Sequence, residues 1–199
     1  MHFYLPLIIF SLASAVTPGP NNISLMMSSS TNGVRQTIPQ YLGIVIGYPL
    51  MLFIIGFGLS GIFIRFPIIH PIVKILGSCY ILYMAWKIIN SVIDRDSRAR
   101  GKPVTFIQSL FFQWVNPKGL VTATSAVSAY TNIHLHVSML QQIEIITFIA
   151  IVATNIGAFV WIFGGTIVRK LLKHNVHLKI FNCIMAALLV LSVLLIILE

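Results

Sequence analysis

Two stretches of the chain, residues 36–64 and 145–168, contain no charged side chain and consist mainly of apolar residues. A helix needs about 20 such residues to cross the hydrocarbon core of a bilayer. Within lipid, only helices and closed barrels satisfy all of their backbone hydrogen-bonding groups, and these runs are continuously apolar where barrel strands would alternate. The sequence therefore predicts an all-α membrane protein.

Four further apolar segments bring the number of predicted transmembrane helices to six. Hydrophobic residues make up 57% of the chain and charged residues 9%, whereas a soluble chain has about 25% charged residues. The predicted helices are residues 3–28, 40–64, 68–90, 106–130, 143–167 and 180–198. Pro39, Pro71 and Pro103 fall near predicted helix starts, where proline is tolerated. No Lys or Arg precedes the first apolar run, so we expect a retained first helix rather than a cleaved signal peptide.

The basic side chains are unevenly distributed between the predicted loops. Loops one, three and five, with their edges, hold Arg35, Lys87, Arg95, Arg98, Arg100, Lys102, Arg169, Lys170, Lys173 and Lys179. The other side has only Arg65 and Lys74. Because loops rich in Lys and Arg stay in the cytoplasm, we expect the odd loops to be cytoplasmic and both termini periplasmic in a bacterial inner membrane. The net charge of +9 fits anchoring beside anionic lipid, and no nucleic-acid partner is expected.

A polar stretch at residues 91–105 divides the chain into halves of about residues 1–95 and 103–199. Each half holds three predicted helices, and since three is odd, the halves enter the membrane from opposite sides. This is the arrangement of an inverted repeat, which is common among secondary transporters. The predicted fold is therefore six transmembrane helices in one membrane domain, built as two inverted three-helix repeats.

Proline and glycine interrupt the first helix of each half. The interruptions are Thr17-Pro18-Gly19-Pro20-Asn21-Asn22 and Asn116-Pro117-Lys118-Gly119. Proline cannot continue a regular helix, and the freed backbone groups need partners in the protein or in a water-filled cavity. A single proline often only kinks a membrane helix. Broken helices at corresponding positions in two halves instead indicate a substrate site.

The predicted substrate-binding residues lie at these interruptions and in the neighbouring helices. They are Thr17, Pro18, Gly19, Pro20, Asn21, Asn22, Gln113, Asn116, Pro117, Lys118 and Asn155. Lys118 is charged and deep in a predicted helix, where a charge needs a partner. Its ammonium group either attracts the substrate carboxylate or binds carbonyls freed at the break, and the sequence leaves both open. For Asn155, an interhelical hydrogen bond is the main alternative to substrate binding.

The interruptions resemble the motifs of a known family, the LysE/RhtB amino-acid exporters. Residues 17–21 are similar to its T-P-G-P-N signature, residues 106–118 resemble its phenylalanine-started helix that reaches N-P-K, and residues 77–87 resemble its third-helix pattern. The flanking residues look most like the cysteine/O-acetylserine exporter branch. This resemblance implies export of small neutral amino acids or their derivatives by proton antiport with alternating access. Amino acids, protons and lipid are then the expected partners, and no cofactor or metal is expected.

The proton carrier is not evident from the sequence. Asp94 and Asp96 lie in a predicted loop, Glu199 is the last residue and Glu144 lies near a helix edge. Glu144, Lys118 or the substrate itself therefore remain as candidates. Separately, the pattern Gly43-x-x-x-Gly47 predicts close helix packing and, on weaker grounds, a homodimer.

Other functional classes fit the sequence less well. A membrane enzyme needs a nucleophile with a base, a metal cluster or paired carboxylates, and no acidic residue is placed deep in a helix. No glycine-rich phosphate loop indicates a nucleotide-driven pump. A channel or a non-transporting membrane subunit stays open. Cys79 and Cys183 lie in apolar runs and are expected to be free, buried thiols.

Overall fold

A computed structural model describes residues 4–59, 69–90, 103–131, 137–171 and 175–198, and its regular elements are all helical. The helices are α1 Tyr4–Val16, α2 Pro20–Asn32, α3 Val34–Ile54, α4 Ile69–Ile89, α5 Phe106–Phe112, α6 Pro117–Tyr130, α7 Met139–Leu171 and α8 Asn175–Leu198. A π-helical turn, Ile55–Leu59, follows α3, and a 3₁₀ turn, Gln113–Val115, follows α5. The prediction of an all-helical chain is confirmed for the described residues.

The two interruptions fall where the sequence predicts them. The predicted helix 3–28 is the pair α1 and α2, and the predicted helix 106–130 is the pair α5 and α6. Helices α4, α7 and α8 match the predicted segments 68–90, 143–167 and 180–198, although α7 is longer at both ends. Helix α3 with its π turn, and α7, are long and apolar enough to cross a membrane.

The second predicted helix begins earlier than expected. Helix α3 starts at Val34 rather than near residue 40, so Pro39 lies inside the helix, and the predicted loop before it is the single residue Gly33, whose φ is 84°. The polar residues between the two predicted segments belong to the end of α2 and the start of α3. The Thr31 hydroxyl donates to the Met27 carbonyl oxygen at 2.7 Å, and such bonds to the preceding turn let a hydroxyl-rich segment remain helical.

Helix α7 forms the centre of the described packing, because α1, α2 and α3 all lie against it. One buried apolar cluster joins α1, α3, α6 and α7, and it includes Leu7, Met51, Ala123 and Ile146. Helices α4 and α8 pair with each other. A second cluster, which includes Ile23, Ile81 and Leu189, joins that pair to α2. The second break and the start of α2 therefore sit within a packed bundle, whereas Val16, Thr17 and Pro18 of the first break are exposed.

The outer surfaces of the helices are strongly apolar. Phe148 on α7 is 65% exposed and Trp86 on α4 is 63% exposed, and many other large apolar side chains share this exposure. Soluble monomers rarely show such surfaces, whereas a bilayer covers them. Cys79 and Cys183 are free, as expected, but both are exposed. The expectation of burial is wrong for them because α4 and α8 also present apolar residues on their outer faces.

Glycines allow several helices to approach closely. A Cβ atom on Gly43 would lie 2.6 Å from Ser109 Cβ, and one on Gly47 would lie 3.0 Å from Gln113 Cγ. The Gly43-x-x-x-Gly47 pattern therefore packs α3 against the α5 region of the same chain. Because the pattern packs two segments of the same chain together, it no longer supports a contact between two chains. The homodimer stays a prediction.

We expect Gly165→Ala to destabilise the fold and Gly164→Ala to be tolerated. A Cβ on Gly165 would overlap Ser29 Oγ and the Met26 carbonyl oxygen on α2, whereas one on Gly164 would meet only Met26 Cε at 3.5 Å. Overpacking of this kind costs about 1–3 kcal/mol. Thermal unfolding of the purified variants in detergent measures the difference, and equal midpoint temperatures would contradict the close approach of α2 to α7.

A cavity between two broken helices as candidate functional site

The break between α1 and α2 exposes backbone carbonyls that a continuous helix would pair. Helix α1 ends at Val16, and Pro20 begins α2 with Gly19 as its N-cap. The last carbonyls of a helix have no partner within it. Here they bind side chains from other elements, so the break is held by tertiary contacts.

Lys118 supplies the largest share of these contacts. Its Nζ donates to the carbonyl oxygens of Thr17 at 2.8 Å, Ser14 at 3.2 Å and Pro18 at 3.3 Å. A lysine ammonium has three donors, and each finds one carbonyl acceptor. A Cβ on Gly19 would lie 2.7 Å from Lys118 Cδ, so only glycine leaves room for the lysine stem at this point.

The remaining carbonyls of the α1 end bind an amide and an indole. Asn22 Nδ2 donates to the carbonyl oxygens of Ala15 at 2.7 Å and Thr17 at 2.9 Å. Trp161 Nε1, on α7, donates to the Val16 carbonyl oxygen at 3.1 Å. Every carbonyl from residue 14 to residue 18 thus accepts a hydrogen bond from a side chain.

The second break meets the first through a reciprocal amide pair. Asn21 Nδ2 donates to Gln113 Oε1 at 2.8 Å, and Gln113 Nε2 donates to Asn21 Oδ1 at 3.3 Å and to the Ser109 carbonyl oxygen at 2.8 Å. Gln113 has no exposed surface. The interruptions of the two halves therefore lie in direct contact.

A cavity of about 70 Å³ lies beside this contact, between α1, α2, α3, α6 and α7. Its volume holds a few water molecules. Its polar lining includes Ser14, Asn22, Tyr48, Lys118, Thr122 and Thr154. No Asp or Glu of the described ranges lines it, and the exposed Glu144 lies elsewhere on α7. The positive charge of Lys118 has no carboxylate opposite it in this lining.

The cavity wall carries opposite partial charges. The first residues of α2 and of α6 line it, among them Asn21 and Gly119, and the N-terminal ends of helices attract anions. The carbonyl-rich C-terminal end of α1 adjoins the same space through Ser14 and Ala15. An arrangement with a positive wall and a carbonyl wall can hold the carboxylate and the ammonium of a small zwitterion.

Asn116 adds an acceptor without a protein partner. It is 2% exposed, lines the cavity and is the N-cap of α6, but its side chain makes no capping bond. Its Oδ1 is buried and accepts no hydrogen bond from the described residues. A buried polar atom left in this way costs about 1–3 kcal/mol, so its position beside the cavity favours a role in binding.

The structure brings six of the predicted site residues to the cavity wall. These are Gly19, Pro20, Asn21, Asn22, Asn116 and Lys118. Thr17, Pro18, Gln113 and Pro117 lie at the breaks but outside the lining. Asn155 also lies outside it, since its Oδ1 accepts from the Tyr41 hydroxyl and its Nδ2 donates to the Ile151 carbonyl oxygen. The interhelical hydrogen bond named as its alternative is present.

Several lining residues were not predicted as site residues. They are Ser11, Ser14, Tyr48, Thr122 and Thr154. Ser11 and Ser14 are polar residues three positions apart in the apolar helix α1, which is a detectable signal for one polar helix face. Among the described residues, no group of His, Cys, Asp and Glu is arranged to bind a metal ion.

Comparison with known proteins places the chain beside amino-acid efflux proteins. The sequence model of the family described as LysE type translocator matches residues 12–199. The chain is 32% identical over 185 residues to the cysteine/O-acetylserine efflux protein of Salmonella choleraesuis strain SC-B67, covering 91% of this chain and 90% of that protein. It is 28% identical over 188 residues, with the same coverage, to the protein of that name from Escherichia coli K12. No solved structure matches the chain.

We expect Asn21→Leu and Gln113→Leu to be energetically coupled. Asn21→Leu leaves the buried Gln113 Oε1 unpaired and Gln113→Leu leaves the half-buried Asn21 amide unpaired, and each should cost about 1–3 kcal/mol of stability. The double replacement removes both amides, so its cost should be smaller than the sum of the single costs by about 0.5–3 kcal/mol. Denaturation of the three variants in detergent measures this coupling, and strictly additive effects would show that the pair does not link the breaks.

Proposed function

Because the chain belongs to the LysE type translocator family, we propose that it exports small neutral amino acids or derivatives, of the cysteine and O-acetylserine class, out of the cytoplasm. Family membership makes it a transporter of the bacterial inner membrane and not an enzyme. The substrate class is proposed from two supports, the names of the relatives and the chemistry of the cavity.

The observation that carries the proposal is the cavity between the two breaks. The N-terminal ends of α2 and α6 and the Lys118 ammonium favour a carboxylate, and the carbonyl end of α1 favours an ammonium. The volume of about 70 Å³ suits a small side chain. The lining holds no carboxylate within the described residues, so the site lacks the group that would select a cationic side chain.

Transport proceeds in this proposal by proton antiport with alternating access, in a fold of two inverted three-helix repeats. The contact between the two breaks supports it, because the repeat interface is where such carriers bind their substrates. Since Glu144 is exposed and lies outside the cavity lining, Lys118 or the substrate is the stronger candidate for the proton carrier. The proposed topology keeps the odd loops cytoplasmic and both termini periplasmic.

Reconstitution tests the proposed function directly. Liposomes with an acidic lumen should accumulate radiolabelled O-acetylserine or cysteine, because protons leaving the lumen drive the substrate inward. Accumulation should saturate with substrate and collapse with a protonophore. Unsaturable flux that ignores the proton gradient would identify a channel, and no flux with any amino acid tested would identify a non-transporting subunit.

A matched pair of threonines on α6 tests the cavity as the substrate site. Thr122 lines the cavity, and its hydroxyl lies 3.3 Å from Ser14 Oγ, whereas Thr124 is exposed. Both hydroxyls donate to the preceding turn at 2.7 Å, so their local helical roles are alike. Thr122→Val should raise the KM for transport about three- to tenfold, the equivalent of one lost hydrogen bond. Thr124→Val should leave the KM for transport unchanged. If both replacements changed the KM equally, the substrate would bind outside this cavity.

A further inference from the structure

The Lys118 ammonium is bound entirely by backbone. Its three acceptors are the carbonyl oxygens of Ser14, Thr17 and Pro18, at 2.8–3.3 Å. These three carbonyl oxygens are called the carbonyl cluster below. No carboxylate of the described residues pairs with the ammonium, so its partners keep their acceptor character at any pH.

Two other side chains fix the carbonyl cluster in place. Asn22 also donates to the Thr17 carbonyl oxygen, and it and Trp161 hold the carbonyls of Ala15 and Val16 between the cluster members. The cluster also lies at the C-terminal end of α1, where the helix dipole favours cations. Part of its geometry is therefore maintained by contacts that do not involve Lys118.

The cluster is suited to an ammonium group rather than to lysine alone. A substrate α-ammonium has the same three donors as a lysine ammonium. The cavity reaches the cluster at Ser14 and also at Gly19, the neighbour of Pro18, while Thr17 and Pro18 themselves lie just outside its lining. Within the described residues the lining holds no carboxylate for the substrate, so the carbonyl cluster, together with Asn116 Oδ1, supplies the acceptors near the cavity for its ammonium.

We propose that the carbonyl cluster is the binding site for the substrate α-ammonium, and that the Lys118 ammonium occupies it as an exchangeable stand-in. The proposal rests on the proposed function of amino-acid export. When the substrate ammonium takes the cluster, the Lys118 side chain swings to the substrate carboxylate beside the N-terminal ends of α2 and α6. Hydrogen bonds are exchanged and no covalent bond changes. The Lys118 ammonium therefore binds the carbonyl cluster in one state and the substrate carboxylate in the other.

Amine rescue of a lysine-deleted variant tests the cluster without any transport. Lys118→Ala leaves the carbonyls without their ammonium, and n-propylammonium chloride should raise its thermal midpoint in detergent by about 2–4 °C. Tetramethylammonium chloride has the same charge but no N–H donor and should give no rise. The wild-type protein should not respond, nor should Lys170→Ala, which removes an exposed lysine at the end of α7. Equal responses to both salts would overturn the proposal.

Ligand selectivity provides the second measurement. Relative to wild type, Lys118→Ala should bind the amine at least tenfold more tightly and a substrate amino acid more weakly, because the cluster is free but the carboxylate partner is lost. Loss of both affinities, or no gain in amine affinity, would reduce Lys118 to a structural or carboxylate-binding residue and overturn the proposal.

A second variant covers the case in which Lys118→Ala does not fold. Gly19→Ala keeps the lysine but places a Cβ 2.7 Å from its Cδ, which should displace the ammonium and make the protein responsive to n-propylammonium. No response there would also overturn the proposal. Failure of the wild-type protein to transport any amino acid would refute the proposed function alone, since amine rescue measures the cluster independently.

Discussion

The hydrogen bonds between Lys118 and the end of α1 are the interaction on which the rest of the site depends. A helix interrupted within a bilayer must find partners for its free carbonyls in the protein, because lipid offers none. Lys118 binds three of these carbonyls, and Asn22 and Trp161 complete the set. The same contacts bring α6 and α7 to the first break. The hydrogen bonds that satisfy these backbone carbonyls therefore also assemble the cavity.

Small residues set how closely the helices pack around the two breaks. Gly157 faces the Ala15 carbonyl and Gly165 faces Met26, so α7 contacts the backbone of both α1 and α2. Gly43 and Gly47 bring α3 equally close to the α5 region. In a membrane, where apolar burial does not drive helices together, close backbone approach and hydrogen bonds supply much of the association. The glycine contacts thus position the two breaks for the amide pair between them.

The sequence predicted the breaks because proline and glycine act locally, and it predicted most of the helical segments because long apolar runs are unambiguous. It misplaced the start of α3, since hydroxyls that bond within their own helix resemble a loop in composition. It included Asn155 among the site residues, with an interhelical hydrogen bond as the alternative, whereas the preceding residue Thr154 lines the cavity, because the rotation of a helix is decided by its neighbours. The need of Lys118 for a partner was predicted from its charge and its depth in a helix, but its carbonyl partners depend on packing between residues about 100 positions apart.

The pairing of Asn21 with Gln113 has a consequence for how the two breaks stay together. Each carboxamide carries both a donor and an acceptor, and the further bond from Gln113 Nε2 to the Ser109 carbonyl oxygen selects one orientation of the pair. Neither group ionises, and parting them strands no charge in the low-dielectric interior. The contact between the two breaks is therefore made in one defined orientation, and its strength does not depend on the protonation state of either side chain.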